Sequence, residues 1–269
     1  MSRRLGLLAV VLLLAAGLWG RAPARAAGAF SDWAAVVASG DFHTHDGGPS
    51  EAFDNARRDV SRELVAIGFS AANMRQFSAR PERYPEEHLM ISDPDLIGQK
   101  LGELGAQAHG GCLVYVSSHG SPSGVLVGAH LLSPAGLSLM VDQACGERPT
   151  VVIVSACFSG VFVEPLGRPN RMVLTAARPD RSSFGCGSSD RYPYFDACVI
   201  QTLPSASDFA DLGRKVQVCV ADKEKATGMA PPSEPQMFVG SELKPLIAFY
   251  PFSHEPAAAA ALSKASRAP

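Results

Sequence analysis

The chain has 269 residues, with 24 Lys and Arg against 26 Asp and Glu, and 46% of its residues are hydrophobic. This near-balance, with no long block of either sign, gives no electrostatic support for nucleic-acid binding or for an acidic or basic polymer as ligand. The length fits one α/β domain once an N-terminal leader is set aside.

Residues 1–27 carry the parts of a secretory signal. Arg3 and Arg4 open it, an apolar run follows from Leu5 to Trp19, and Ala24-Arg25-Ala26 fits a small-x-small cleavage pattern. A membrane span needs roughly 20 apolar residues; this run is shorter, and no later stretch reaches that length. The mature chain is therefore expected to be periplasmic or secreted, with no membrane association after cleavage. Its fold is expected over residues 28–253, with a disordered Ala-rich tail over 254–269.

From there, apolar strands alternate with amphipathic helices, the pattern of an α/β fold with a mostly parallel sheet. Residues 33–38 read as the first strand, leading into the polar turn Ser39-Gly40-Asp41-Phe42-His43-Thr44-His45-Asp46-Gly47-Gly48. Ser50 is placed to cap a helix whose stripe is Phe53, Ala56, Val60, Leu64 and Ile67, stopped at Gly68. A short strand is expected near 73–78. Asp93-Pro94 starts a second helix with Ile97, Leu101, Leu104 and Ala108 on one face. Two buried strands, 112–116 and 151–154, are separated by a hairpin (125–132) and a helix opened by Ser133-Pro134. A strand at 172–176, a Ser/Gly/Cys-rich loop at 178–194, helices near 195–203 and 212–223, and a late strand near 236–239 complete the domain.

Ligands of open parallel sheets sit outside the carboxyl ends of the strands. One of the two best strands runs into Ser117-Ser118-His119-Gly120 and the other into Ser155-Ala156-Cys157-Phe158-Ser159-Gly160. Adjacent strands would place His119 and Cys157 on one rim, and a thiol needs such a basic neighbour to act as a nucleophile. A lone cysteine after a strand is more often a buried apolar residue; two reactive residues at matching strand ends reverse those odds.

The segments "VYVSSHG" and "VVIVSACFSG" resemble the two-block signature of the legumain-like cysteine peptidases, which share a caspase-like fold. "TAARPDRSSFGC" (175–186) is similar to the segment that builds their specificity pocket. "YFDACV" (194–199) is similar to the helix start that supplies an acidic pocket residue, and "VVASGDF" stands where the family has its first strand and turn. The resemblance runs from Trp33 to Phe249, thin in the hairpin and the C-terminal part. It implies a three-layer α/β/α sandwich and an endopeptidase acting on peptide or protein substrates through a thioester, without metal or organic cofactor. Cys157 would be the nucleophile, His119 the acid/base, and the backbone N–H groups of Gly120 and Cys157 the oxyanion donors. Ser183 and Asp196 match pocket positions, and a buried Asp calls for a polar or basic partner. Ser155 stands where the family carries an acid, which removes one negative group from the pocket. The family's Asn-Tyr-Arg element is replaced by Phe42-His43-Thr44-His45. His43 is a candidate to orient His119 and His45 to line the pocket, polar loop histidines being the alternative reading.

The remaining cysteines suggest a Cys112–Cys145 disulfide, a Cys186–Cys198 staple across the pocket loop, and Cys219 as a helix-face core residue. With no CxxC pair and scattered His residues, a metal site is not expected. Three rival readings stand beside the peptidase: an esterase using a degenerate nucleophile elbow with His254 as base, a transpeptidase using the same thioester, and a non-catalytic module of this fold.

Overall fold

The structure, a computed structural model, describes residues 28–254. The expected leader, and the expected tail beyond its first residue, lie outside the described residues. The strand sequences are apolar on both faces, and the fold covers both. In β1 (Trp33–Ser39), β4 (Gly111–Ser117) and β8 (Thr150–Ser155) every residue is buried. Alternate side chains point to opposite layers. Ala35, Val37, Leu113, Tyr115, Val151 and Ile153 face one cluster, while Ala34, Val36, Val114, Val116, Val152 and Val154 face the other.

The main sheet has seven strands in the order β10-β9-β8-β4-β1-β2-β3. Here β2 is Met74–Ser78, β3 Met90–Ile91, β9 Arg171–Thr175 and β10 Gln236–Val239. All pairings are parallel except that of β10 with β9. Helices flank both sides, giving the expected three-layer α/β/α sandwich. On one side lie α1 (Ala52–Ala66), α5 (Tyr194–Thr202) and α6 (Phe209–Thr227); on the other lie α2 (Pro94–Gly105), α3 (Pro134–Cys145) and the single turn α4 (Val163–Leu166). The strands β5 (Gly120–Ser121), β6 (Gly124–Val127) and β7 (His130–Leu132) form a separate antiparallel sheet over the carboxyl ends. Strand order reverses between β1 and β4, since the chain leaves β1 for β2 but leaves β4 for β8. A crevice opens at such a switch point in α/β sheets.

The start signals act as their chemistry predicts. The Asp93 side chain accepts the Leu96 N–H at 3.0 Å, and the Ser133 hydroxyl accepts the Gly136 N–H at 3.1 Å. The Ser50 hydroxyl accepts the Ala52 N–H at 3.1 Å, one place earlier than a cap, because Glu51 occupies the N-cap position. The α1 stripe Phe53, Ala56, Val60, Leu64 and Ile67 is buried, but so are Asp54, Arg57 and Asp59. Arg57 reaches Asp54 at 3.2 Å and Glu87 at 2.8 Å.

Cys112 and Cys145 are disulfide-bonded, their Cα atoms 6.0 Å apart. The other bridge corrects the sequence reading. Cys198 pairs with Cys219, Cα atoms 5.7 Å apart, and Cys186 is free. Helices α5 and α6 pack side by side, so Cys219 faces Cys198 across the helix pair, while Cys186 remains on the loop at the strand ends.

Candidate active site

Ser117 ends β4 and Ser155 ends β8, and the two are register partners. The Ser118 N–H donates to the Ser155 carbonyl at 3.0 Å, so His119 and Cys157 leave adjacent strands at one level. At position 120 a Cβ would stand 2.2 Å from the Cys157 carbonyl oxygen, and only glycine permits this approach.

His119 is held on two sides. Its Nε2 lies 3.0 Å from the His43 carbonyl oxygen, which only accepts; Nε2 therefore carries the hydrogen and Nδ1 is left as the basic nitrogen. The Phe53 ring meets the imidazole edge-on, centroids 5.0 Å apart. Asp41, which the sequence reading did not single out, is buried beside it, with Oδ2 4.0 Å from the same Nε2. Its Oδ1 accepts the N–H groups of Phe42 at 2.6 Å and His43 at 3.3 Å and pairs with the His43 Nδ1 at 2.7 Å. Its signal in the sequence was an acidic residue directly after Gly40 at the end of the first strand. His43 thus meets His119 through its backbone carbonyl, its ring being turned to Asp41. The His45 side chain is exposed.

The Cys157 sulfur is half-buried under the loop 178–193. It accepts the Ser183 N–H at 3.3 Å and lies 3.6 Å from the Ser183 hydroxyl. Phe158, next along, has φ 58°, a left-handed conformation costing a non-glycine residue about 1–2 kcal/mol. Its N–H donates to the Arg181 carbonyl at 2.7 Å, tying the turn to the loop. A Cβ at Gly160 would come 2.5 Å from the Pro179 nitrogen, so glycine is what allows the loop to cross there. The far end of the loop is pinned to α1, where buried Asp59 accepts the Tyr192 hydroxyl and the Asn55 amide donates to the Arg191 carbonyl at 3.1 Å. Burial, and then the neighbouring Cys157 sulfur, push the Cys186 thiol up.

Two backbone N–H groups, those of Gly120 and Cys157, stand at the strand ends. The Leu126 N–H donates to the His119 carbonyl at 2.9 Å, which makes Gly120–Val125 a non-hydrogen-bonded antiparallel pair and turns the Gly120 N–H away from its strand partner. Neither this N–H nor that of Cys157 meets a protein acceptor among the described residues.

Beneath them lies Asp196, fully buried in the first turn of α5. It accepts the hydroxyls of Tyr115 at 2.5 Å, Ser117 at 2.9 Å and Ser155 at 2.6 Å. The partner a buried carboxylate requires thus comes from this chain. Burial raises its carboxyl to about 6, the three hydroxyls offsetting part of the rise. His254 sits at the opposite end of the sheet: its Nε2 bonds the Ala206 carbonyl at 2.7 Å, and the adjacent Ser253 N–H bonds Ile67 at 2.9 Å. An elbow-type base role for His254 at Cys157 has no geometric support. Among the described residues no group of three or more His, Cys, Asp or Glu is arranged to hold a metal ion. No described helix is long and apolar enough to cross a membrane.

The peptidase C13 family model matches residues 103–216, from the last turn of α2 into α6, a span that holds His119, Cys157, Ser183 and Asp196. The crystal structure of caspase-1 from Spodoptera frugiperda is similar at TM-score 0.57 and 16% identity, over 82% of this chain and 91% of that chain. No curated protein matches the chain in sequence. The family-model match over residues 103–216 and the caspase-like fold together support a cysteine-type peptidase similar to the legumain family.

Proposed function

We propose that the protein is an exported endopeptidase in which Cys157 is the nucleophile and His119 the acid/base. The observation that carries this reading is the gap between the two strand ends. There the Gly120 and Cys157 N–H groups lack an acceptor, next to a sulfur on one side and a fixed imidazole on the other. In the proposed cycle the Cys157 thiolate attacks the scissile carbonyl, and the two N–H groups hold the oxyanion; fixed donors of this kind are worth about 3–4 kcal/mol. The C–N bond breaks as His119 gives its proton to the leaving amine, leaving a thioester on Cys157. Water then adds to the thioester, the carboxylic acid departs and the thiol is restored.

On the acyl side, Ser183 on the covering loop is the proposed specificity residue; Ser155 and Asp196, buried and bonded to each other, support the strand ends from below rather than meeting the substrate. His43 supports His119 through its carbonyl, and His45 flanks the Cys186 loop. Export is supported by the signal-like residues 1–27 and by two disulfides, which persist in oxidising compartments.

The test is labelling with peptidyl acyloxymethyl ketones carrying Asn, Asp, Arg or Lys before the reactive carbon. It compares the wild type with Cys157→Ala and His119→Ala and identifies the modified peptide by mass. Labelling at Cys157 that requires His119 is expected. Labelling elsewhere, or equally in His119→Ala, overturns the dyad. N-terminal sequencing of the protein recovered outside the cytoplasm is expected to begin just after residue 26 or 27; an intact Met1 there overturns cleavage.

A further inference from the structure

We propose that the crevice at the ends of β1, β2 and β3, under the β6–β7 hairpin, is the subsite for the residues that follow the scissile bond, and that it selects an apolar side chain there. The inference rests on the peptidase reading and names the half of the substrate that this crevice takes.

Sheet order assigns the two halves of a bound peptide. Cys157 ends β8, and the loop covering it follows β9, so the acyl half lies on the β8–β9 side. The leaving amine has to reach His119 on β4, so the chain beyond the bond continues over β4 toward β1. A cavity of about 570 Å³ lies in that direction, walled by the apolar side chains of Phe42, Ala79, Ile91, Leu126 and Ala129. Ligand pockets are typically about 300–1,000 Å³, and in open α/β sheets they form outside the carboxyl ends of the strands, as this one does at the ends of β1, β2 and β3.

The cavity is continuous with the catalytic apparatus. Asp41 and His43, which contact the His119 imidazole, also line it. The Leu126 N–H is the donor that ties the hairpin to the His119 carbonyl. The walls are fixed before any ligand arrives. The Gly128 N–H bonds the Gly40 carbonyl at 2.8 Å, the Ser92 hydroxyl bonds the Ser39 carbonyl at 2.6 Å, and the Arg80 guanidinium packs 5.0 Å over the Phe42 ring.

The polar groups at its edge are already engaged. Asp41 serves the His43 ring, and Asp93 caps α2 while facing the His130 Nε2 at 3.6 Å. What remains free is apolar surface, including Ile91, which is 46% exposed. An apolar side chain one or two places past the cut gains from burial against it, whereas a charged one finds no unpaired partner.

The experiment compares quenched fluorescent peptides that share one acyl half and differ at the first or second residue past the bond, carrying Gly, Leu, Phe, Asp or Lys. Leu or Phe is expected to exceed Gly in kcat/KM by about tenfold or more at one of these positions, with Asp and Lys at or below Gly. Ile91→Asp and Ala129→Trp, both at exposed positions, are expected to bring that ratio to within about twofold of unity. Val218→Asp, on the exposed face of α6, is expected to leave the ratio as in the wild type. Short peptides with a free amino terminus, Leu-first against Gly-first, are expected to inhibit in the same order, which ranks the subsite without any variant. A flat ratio, a preference for Asp or Lys, or a preference that survives both cavity variants overturns the subsite alone. Absence of all cleavage, together with absence of Cys157 labelling, overturns the peptidase reading and the subsite with it.

Discussion

Replacing Asp196 by Asn tests the electrostatics beneath the two reactive strand ends. Burial lifts the Asp196 carboxyl from an ordinary 3.8 to about 6, against the opposing pull of three hydroxyls. The folded protein therefore binds this proton more tightly than the unfolded chain does. Stability from this group is greatest below about pH 4, falls as pH rises from about 4 to about 6, and levels off above that. A gap of about two units at about 1.4 kcal/mol each costs about 3 kcal/mol at neutral pH, of which about 2 kcal/mol develops between about pH 4.5 and about pH 7.5. Asn cannot ionise, yet it keeps an oxygen for two of the hydroxyls and an amide to donate to the third. Urea unfolding of both proteins at the two pH values isolates the group, because carboxylates held below their usual range, such as Asp59 and Asp211, titrate alike in each. The stability of wild type relative to variant is expected to be about 2 kcal/mol more favourable at the lower pH, or about 4–8 °C in Tm. A difference that stays within about 0.5 kcal/mol across the range would refute the reasoning, because Asp196 would then be no harder to ionise in the fold than in the unfolded chain.

Gly120→Ala forces a Cβ to within 2.2 Å of the Cys157 carbonyl oxygen and displaces the proposed oxyanion donor. A fall of about 10²–10³ in kcat, with an unchanged far-ultraviolet spectrum, is expected, and near-normal kcat would remove Gly120 from the site. Arg57→Met leaves the fully buried Asp54 without its arginine, and urea denaturation is expected to show a loss of about 3–5 kcal/mol. A loss below about 1 kcal/mol would mean that Arg80, 3.9 Å from the same carboxylate, suffices to hold it. Removing both Cys112 and Cys145 frees a loop spanning 33 residues and is expected to cost about 2–4 kcal/mol. Reductant is expected to destabilise the wild type by at least that amount and the double variant by less.

The central strands β1, β4 and β8 were legible because each is an apolar run covered on both faces, and helices α2 and α3 because Asp93-Pro94 and Ser133-Pro134 are start signals with a mechanism. That His119 and Cys157 would stand on one rim was legible because each follows the end of a buried strand at the same spacing, with a glycine directly after the first and three places after the second. Asp41 escaped notice because its role depends on the turn folding back over His119, a tertiary fact that no spacing encodes. The Cys198–Cys219 bridge was missed for a related reason. Which helix faces meet is decided by the packing of α5 against α6, whereas sequence proximity favoured Cys186. Arg57 and Asp59 sit among the polar positions of an amphipathic pattern, yet both are buried. Arg57 finds partners in Gln76 and Glu87, on β2 and the segment after it, and Asp59 in the loop bearing Tyr192. The two-residue β3 is too short to leave a periodic signal of its own.

The same spacing recurs at both reactive strand ends, Ser117-Ser118-His119 on one and Ser155-Ala156-Cys157 on the other. The two serines face each other across the sheet, and a single oxygen of Asp196 accepts from both. Asp196 itself opens the helix that directly follows the loop over Cys157. One buried carboxylate thus joins three segments: the strand bearing the imidazole, the strand bearing the thiol, and the end of the loop that covers the thiol. Well-packed apolar residues in place of a buried charge are often neutral or stabilising, so stability alone gives little reason for a charge there. The strands are otherwise almost wholly apolar, and the costly group lies directly beneath the gap between His119 and Cys157. Local conflict of this kind gathers at functional sites. Its placement is explained by what it positions: a shift in any one of the three segments has to break a hydrogen bond to Asp196, which holds the imidazole and the thiol at one level.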